Sequence, residues 1–177
     1  MSGEARSPEG TGSVGTALGG AGTEVTGYAA GQPLYERHGW QTVLPLPAGR
    51  KEAPPRGYTG RGAKTPTARQ LATWRQRHLD GNLALHLPPG VLGIDVDAYG
   101  GKPGAETLAE LEDRLGALPD TWRSSSRPDD PVSGIRFFRV PEGLEWPGGL
   151  PGIELIHSGH RYAVVAPSIH PEGRRYR

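Results

Sequence analysis

Asp95-Val96-Asp97 is the segment of this chain best suited to chemistry. In a strand, side chains alternate between faces, so residues two apart stand side by side. If Val91–Asp97 is a strand, Asp95 and Asp97 share one face at its end, and Ile94 and Val96 point the other way into a core. Two carboxylates that close repel, and one tends to hold a proton unless a cation sits between them. Carboxylate oxygens hold hard divalent cations such as Mg²⁺. The pair therefore suggests a metal site for phosphate chemistry, against the plainer reading of a solvated turn. Glu154, in Gly152-Ile153-Glu154-Leu155-Ile156, is a charge in the middle of an apolar strand. Exposure at a sheet edge explains a lone Glu there. Beside Asp95 and Asp97 on a neighbouring strand it completes a three-carboxylate ligand set, as metal-assisted phosphoryl transfer requires.

The elements that must position these residues follow from pattern. Gln41–Leu46 reads as a short strand ended by prolines, and Pro47–Lys64 as a long Gly/Pro/Arg loop. Loops of that length in compact domains are usually functional or disordered. Thr65-Pro66 supplies an N-cap and a first helical proline, with Leu71, Trp74 and His78 on one face to about Leu79. Asn82–Leu87 and Val91–Asp97 read as strands joined by Pro88-Pro89-Gly90. Gly104–Leu115 reads as a helix, with Leu108, Leu111 and Leu115 as its apolar stripe and Gly116 as its stop. Ile135–Val140 is a strand, and Gly152–Ile156 with Arg161–Ala166 reads as a hairpin across His157-Ser158-Gly159-His160. The order predicts an α+β fold, a mixed sheet with helices on one face.

Twenty-eight glycines and 18 prolines make about a quarter of the 177 residues, near the level where disorder sets in. Residues 1–31 hold nine glycines and no aromatic before Tyr28, so they read as a disordered tail, leaving 32–177 as the folded domain. The tail has no basic start with an apolar run, and no stretch is apolar enough to span a membrane. With no cysteines, disulfides, zinc ribbons and thiol catalysis are excluded, which fits a cytoplasmic location. The net charge of +1 conceals an asymmetry. Pro47–His78 carries eight Arg and Lys against Glu52 alone, which suits a polyanion or nucleotide phosphate, or else a solvated loop and helix face.

Three look-alikes carry less. Gly57–Thr65 imitates a P-loop, but Ala63 separates Gly62 from Lys64 and no apolar strand runs into the loop. His157-x-x-His160 has zinc spacing without a third ligand, and a polar hairpin tip is the simpler account. Trp40, Trp74, Trp122 and Trp146 could stack on bases, although singly placed Trp residues are more often core.

Taken in order, the motifs resemble the N-terminal primase–polymerase domain of bifunctional DNA primase/polymerases, in the archaeo-eukaryotic primase superfamily. The resemblance runs from about Tyr35 to Tyr176. It comprises Gly39-Trp40, Leu44-Pro45-Leu46, a loop with Lys51, Thr65, the helix with Trp74, Asn82–Leu85, Gly93–Asp97, Gly152–Glu154 and Ala166–Tyr176. It implies an RRM-like catalytic core against a second small lobe, Mg²⁺ or Mn²⁺, DNA template and primer, nucleoside triphosphates, and a helicase domain or partner. The family's first motif maps to Asp95 and Asp97 and its third to Glu154. Its second usually carries a His before an aromatic strand. Here Val132–Phe138 keeps Ser133 and the aromatics but has Ile135 at the His position. Arg136 adjoins it and could supply phosphate charge if the strand bulged. The last motif maps to Ser168 and His170, as nucleotide or template contacts or as a turn bracketed by Pro167 and Pro171.

The resulting expectation is template-directed nucleotidyl transfer in replication. Asp95, Asp97 and Glu154 are the catalytic metal ligands, and Ser133, Arg136, Ser168, His170 and Lys51, with Lys64, contact nucleotide. The alternatives are a catalytically impaired nucleic-acid-binding module that kept the fold, favoured by the missing His, and a metal-dependent nuclease, which uses the same carboxylate chemistry.

Overall fold

The computed structural model describes residues 26–177, and the expectation of an unstructured tail falls, for residues 1–25, outside the described residues. The elements in chain order are α1 (Gly27–Arg37), β1 (Val43–Leu46), α2 (Ala68–Arg77), β2 (Asn82–Leu85), β3 (Val91–Val96), α3 (Gly104–Leu115), β4 (Arg123–Ser124), β5 (Gly134–Arg139), β6 (Ile153–Ile156) and β7 (Ala163–Val165). The α+β class holds. The single sheet does not, because the strands divide into two antiparallel sheets, ordered β1-β2-β7 and β4-β5-β3-β6.

The division also breaks the expected hairpin. β6 pairs with β3, whereas β7 pairs with β2 in the other sheet. The polar segment between β6 and β7 crosses from one sheet to the other. β2 and β3 part in the same way across Pro88-Pro89-Gly90. The helices are likewise shared out: α1 packs on β1, β2 and α2, while α3 packs on β3 and β6.

Two cores result. The larger joins β1, β2, β7 and the helical residues Tyr28, Leu71 and Trp74 to Ile135, Phe137 and Ile156 of the second sheet. The smaller sits between that sheet and α3, around Val96, Leu108 and Ile153. Cross-strand partners share a face, so the four-stranded sheet has one face on each core. Residues 93, 135, 137 and 156 face the three-stranded lobe, and Val96 and Ile153 face α3, as alternation requires.

Three local expectations need correction. Residues 27–31, read as tail, begin α1, and Tyr28 is fully buried with its hydroxyl donating to the Val43 carbonyl at 2.8 Å. Two glycines and an internal Pro33 conceal this helix, whose stability comes from packing rather than propensity. The α2 N-cap is Thr67, not Thr65, and its hydroxyl accepts from the Gln70 N–H at 3.2 Å. Leu115 is 78 % exposed, so the buried face of α3 rests on Leu108 and Leu111.

Candidate active site

β3 delivers Asp95 on the face turned toward the three-stranded lobe, near the sheet's end. In register, its direct partner on β6 is Glu154 and its partner on β5 is Ile135. The acidic pair across β3 and β6 is therefore an opposed pair, whose Cβ atoms stand about 4.5–5.5 Å apart in such ladders. Asp97 follows one residue past the strand. Its backbone is clamped, with its N–H donating to Gly152 O at 2.8 Å and its carbonyl accepting from Gly104 N–H at 3.1 Å. Those two glycines leave no room for side chains. A Cβ on Gly104 would stand 2.4 Å from Asp97 O, and one on Gly152 2.3 Å from Gly104 N.

The Asp95 side chain is only 21 % exposed. Burial raises its pKa from 3.8 to about 6, the neighbouring Asp97 and Glu154 charges push the same way, and Arg161 and Lys51 oppose them. The protein already supplies counter-charges. Arg161 Nη2 lies 2.8 Å from Glu154 Oε2 and 3.9 Å from Asp95 Oδ2. His160 Nε2 is 2.8 Å from the other Glu154 oxygen, and Lys102 Nζ holds Asp97. Nothing in the sequence marks Arg161, His160 and Lys102 as site residues. His160 stands out there only within a His-x-x-His, and side-chain pairing across a lobe crossing has no local signature.

For a hard dication, the donor chemistry fits: three carboxylates on adjacent strands, with a guanidinium between two of them as a stand-in cation. The spacing as it stands is not closed. Among the described residues, no three of His, Cys, Asp and Glu are grouped to hold a metal ion. Asp95 and Glu154 share Arg161 while Lys102 holds Asp97, so Arg161 would have to move for these carboxylates to hold a cation.

Lys51 and His170 belong to the same neighbourhood. Lys51 acts electrostatically on both Asp95 and His170, and its loop is tied down by the Tyr162 hydroxyl donating to Lys51 O at 2.8 Å. His170 is 8 % exposed, and burial first, then Lys51, holds its pKa below the usual value. Its Nδ1 accepts from the Glu172 N–H at 3.2 Å, and its ring lies 6.2 Å from that of Tyr176.

Three expected nucleotide contacts stand elsewhere. Arg136 is in register with Ile94, not Asp95, so it occupies the opposite face of the sheet. There is no bulge to turn it, and its guanidinium donates to the carbonyls of Val132 at 2.7 Å and Pro131 at 3.1 Å. Ile135, on the carboxylate face, is buried in the core. Ser133 is 2 % exposed, and its hydroxyl accepts from the Ala98 N–H at 3.0 Å, which pins the chain directly after Asp97. Ser168 is fully buried and serves β2, accepting from Leu83 N–H at 2.8 Å and donating to Leu83 O at 3.3 Å. This favours the turn reading of Ser168. Ser168→Ala should cost about 1–3 kcal/mol, because it strands a buried N–H. A urea melt measures that loss, and unchanged stability would overturn the assignment.

Lys64 is exposed on a tight loop, its N–H donating to Gly57 O at 2.9 Å. A recess of about 920 Å³ is lined by that loop and not by the carboxylates. Chemistry rather than volume therefore marks the candidate site. Of the four tryptophans, Trp74 is core, and Trp40 and Trp122 pack with Phe137.

The fold and site define a class: a two-lobed α+β protein with an acidic centre on the inner face of one sheet. The family described as bifunctional DNA primase/polymerase, N-terminal, matches residues 32–177, and the chain belongs to it. Nucleotidyl transfer of the DNA primase/polymerase type is the activity this family supports. No curated protein and no solved structure matches the chain. No helix among the described residues is long and apolar enough to cross a membrane.

Proposed function

We propose that this chain carries out template-directed nucleotidyl transfer on DNA at Asp95, Asp97 and Glu154. The observation that supports this most is the register placing Glu154 directly across from Asp95. These carboxylates would hold Mg²⁺ or Mn²⁺, which supplies charge neutralisation at the triphosphate and a more acidic primer 3′-hydroxyl. The chain's own groups do the rest. Arg161 is the nearest cation to both Asp95 and Glu154, so once displaced it remains within reach of a triphosphate bound there. Lys51 faces the same centre from the opposite lobe. The buried wall formed by Ile135 keeps water from that side of Asp95. The test is extension of a primed and an unprimed template with labelled dNTPs or NTPs. Asp97→Ala should abolish extension, and unchanged extension would sink the reading.

A second reading keeps the fold without catalysis. It is favoured by the counter-charges on all three carboxylates and by Ile135 at the family's His position. Calorimetric titration with Mn²⁺ separates the two. In the catalytic reading the protein binds Mn²⁺, and Arg161→Ala binds it up to about fivefold more tightly, since a competing ion pair is worth up to about 1 kcal/mol. Absence of binding in both proteins supports the second reading.

A further inference from the structure

We propose that the recess between the two lobes, at the end of β3 opposite the carboxylates, is a groove for single-stranded nucleic acid leading to the active site. The polymer it takes rests on the nucleotidyl-transfer reading. The recess encloses about 920 Å³ and is lined by Arg61, Lys64, His86, Trp146, His157 and Glu145, among others. A compact space of that volume is roughly 10 Å across. It suits a strand lying with its bases splayed.

The lining has the two components that single-strand binding requires, cations for the backbone and an aromatic face for bases. Arg61 and Lys64 are exposed on a loop that positive-φ glycines at 57, 60 and 62 fold back on itself. Trp146 is half-buried, unlike the fully packed Trp74. Glu145 is the one opposing charge among the residues named. The far wall is the crossing segment between β6 and β7, fixed by His86 Nε2 against Ser158 O at 3.0 Å.

That segment connects the recess to the acidic centre. His157, Ser158 and Gly159 line the recess, while the next two residues, His160 and Arg161, hold Glu154. The rings of His157 and His160 stack at 5.8 Å across the turn. No carboxylate of the site lines the recess, so it is not the triphosphate's place. A polymer lying along it passes over the turn and arrives at Asp95 and Glu154. Two of the positive charges of Pro47–His78, Arg61 and Lys64, thus acquire a location.

The test is fluorescence anisotropy of a labelled single-stranded oligothymidylate with the full chain over a range of salt. Arg61→Glu with Lys64→Glu should weaken binding at least tenfold and reduce the salt slope by about 1.4, two phosphate contacts at about 0.7 each. Arg50→Glu with Arg56→Glu, on the same loop but outside the recess, should stay within about twofold, which separates position from net charge. Circular dichroism melts confirm that each variant is folded. Equal losses in the two double variants, or no binding by the wild type, overturn the groove. A wild type that binds through Arg61 and Lys64 but extends no primer supports the groove and overturns only the catalytic reading.

Discussion

Asp95→Asn should raise the melting temperature at neutral pH and remove primer extension in the same variant. The Asp95 carboxyl has a pKa of about 6 in the folded protein against 3.8 for the free group, first because it is buried and then because Asp97 and Glu154 are near. A raised acid binds its proton more tightly in the native than in the unfolded state. Its contribution is therefore most favourable below about pH 4 and is lost as pH rises through about 6. The rise from 3.8 to about 6 corresponds to roughly 3 kcal/mol at pH 7, with the opposing pull of Arg161 and Lys51 already included. Asparagine keeps the shape without the charge. For a chain of this size the relief is about 5 °C or more in melting temperature. Arg161 keeps its contact with Glu154 at 2.8 Å, so no new buried charge is left alone. The difference between variant and wild type should be about a third of its full value near pH 4.5 and complete by pH 7.5. Melts at those two pH values measure it. Equal melting temperatures at pH 7.5 would mean that the counter-ions already neutralise the carboxylate.

How much of this was legible follows from which interactions are local. Alternation in Gly93–Asp97 and in Gly152–Ile156 is a property of each strand alone, and it placed Asp95 and Glu154 on strands with Val96 and Ile153 turned inward. The α3 boundaries are local too, set by the leucine spacing and the stop at Gly116. Pairing is not local. β6 and β7 are separated by a short polar segment of the kind that makes hairpins, yet they join different sheets, because β2 offers Ala163–Val165 a partner that no neighbouring residue announces. The fate of Arg136 is settled by register alone: one residue's difference puts it opposite Ile94 rather than Asp95. Arg161 and His160 reach Glu154 from the crossing segment that follows β6, whereas Lys102 holds Asp97 from the turn that leads into α3. Ser168 and Ser133 look like ligand contacts in a motif string and turn out to satisfy backbone groups of β2 and of the segment after Asp97.

Gly104→Ala should be among the most damaging single-methyl additions available to this chain. The glycine is buried at the start of α3, where its N–H donates to Asp97 O and a Cβ would meet Asp97 O at 2.4 Å, Asp97 C at 2.7 Å and Gly152 O at 2.7 Å. All three obstacles are backbone, so no rotamer can yield. Alanine normally favours a helix over glycine by about 1 kcal/mol, and here that gain is overwhelmed by overpacking. The expected loss is roughly 3–5 kcal/mol, in the range reserved for named structural faults. The fault falls on the segment that holds Asp97, so a variant that survives should show extension reduced beyond what its unfolded fraction explains. Gly148→Ala is the control, since nothing lies within 4 Å of its added methyl. It should change stability by no more than about 0.5 kcal/mol. Urea melts of the two variants beside wild type decide the matter. A Gly104→Ala protein as stable as Gly148→Ala would show that the clamp on Asp97 is looser than these contacts require.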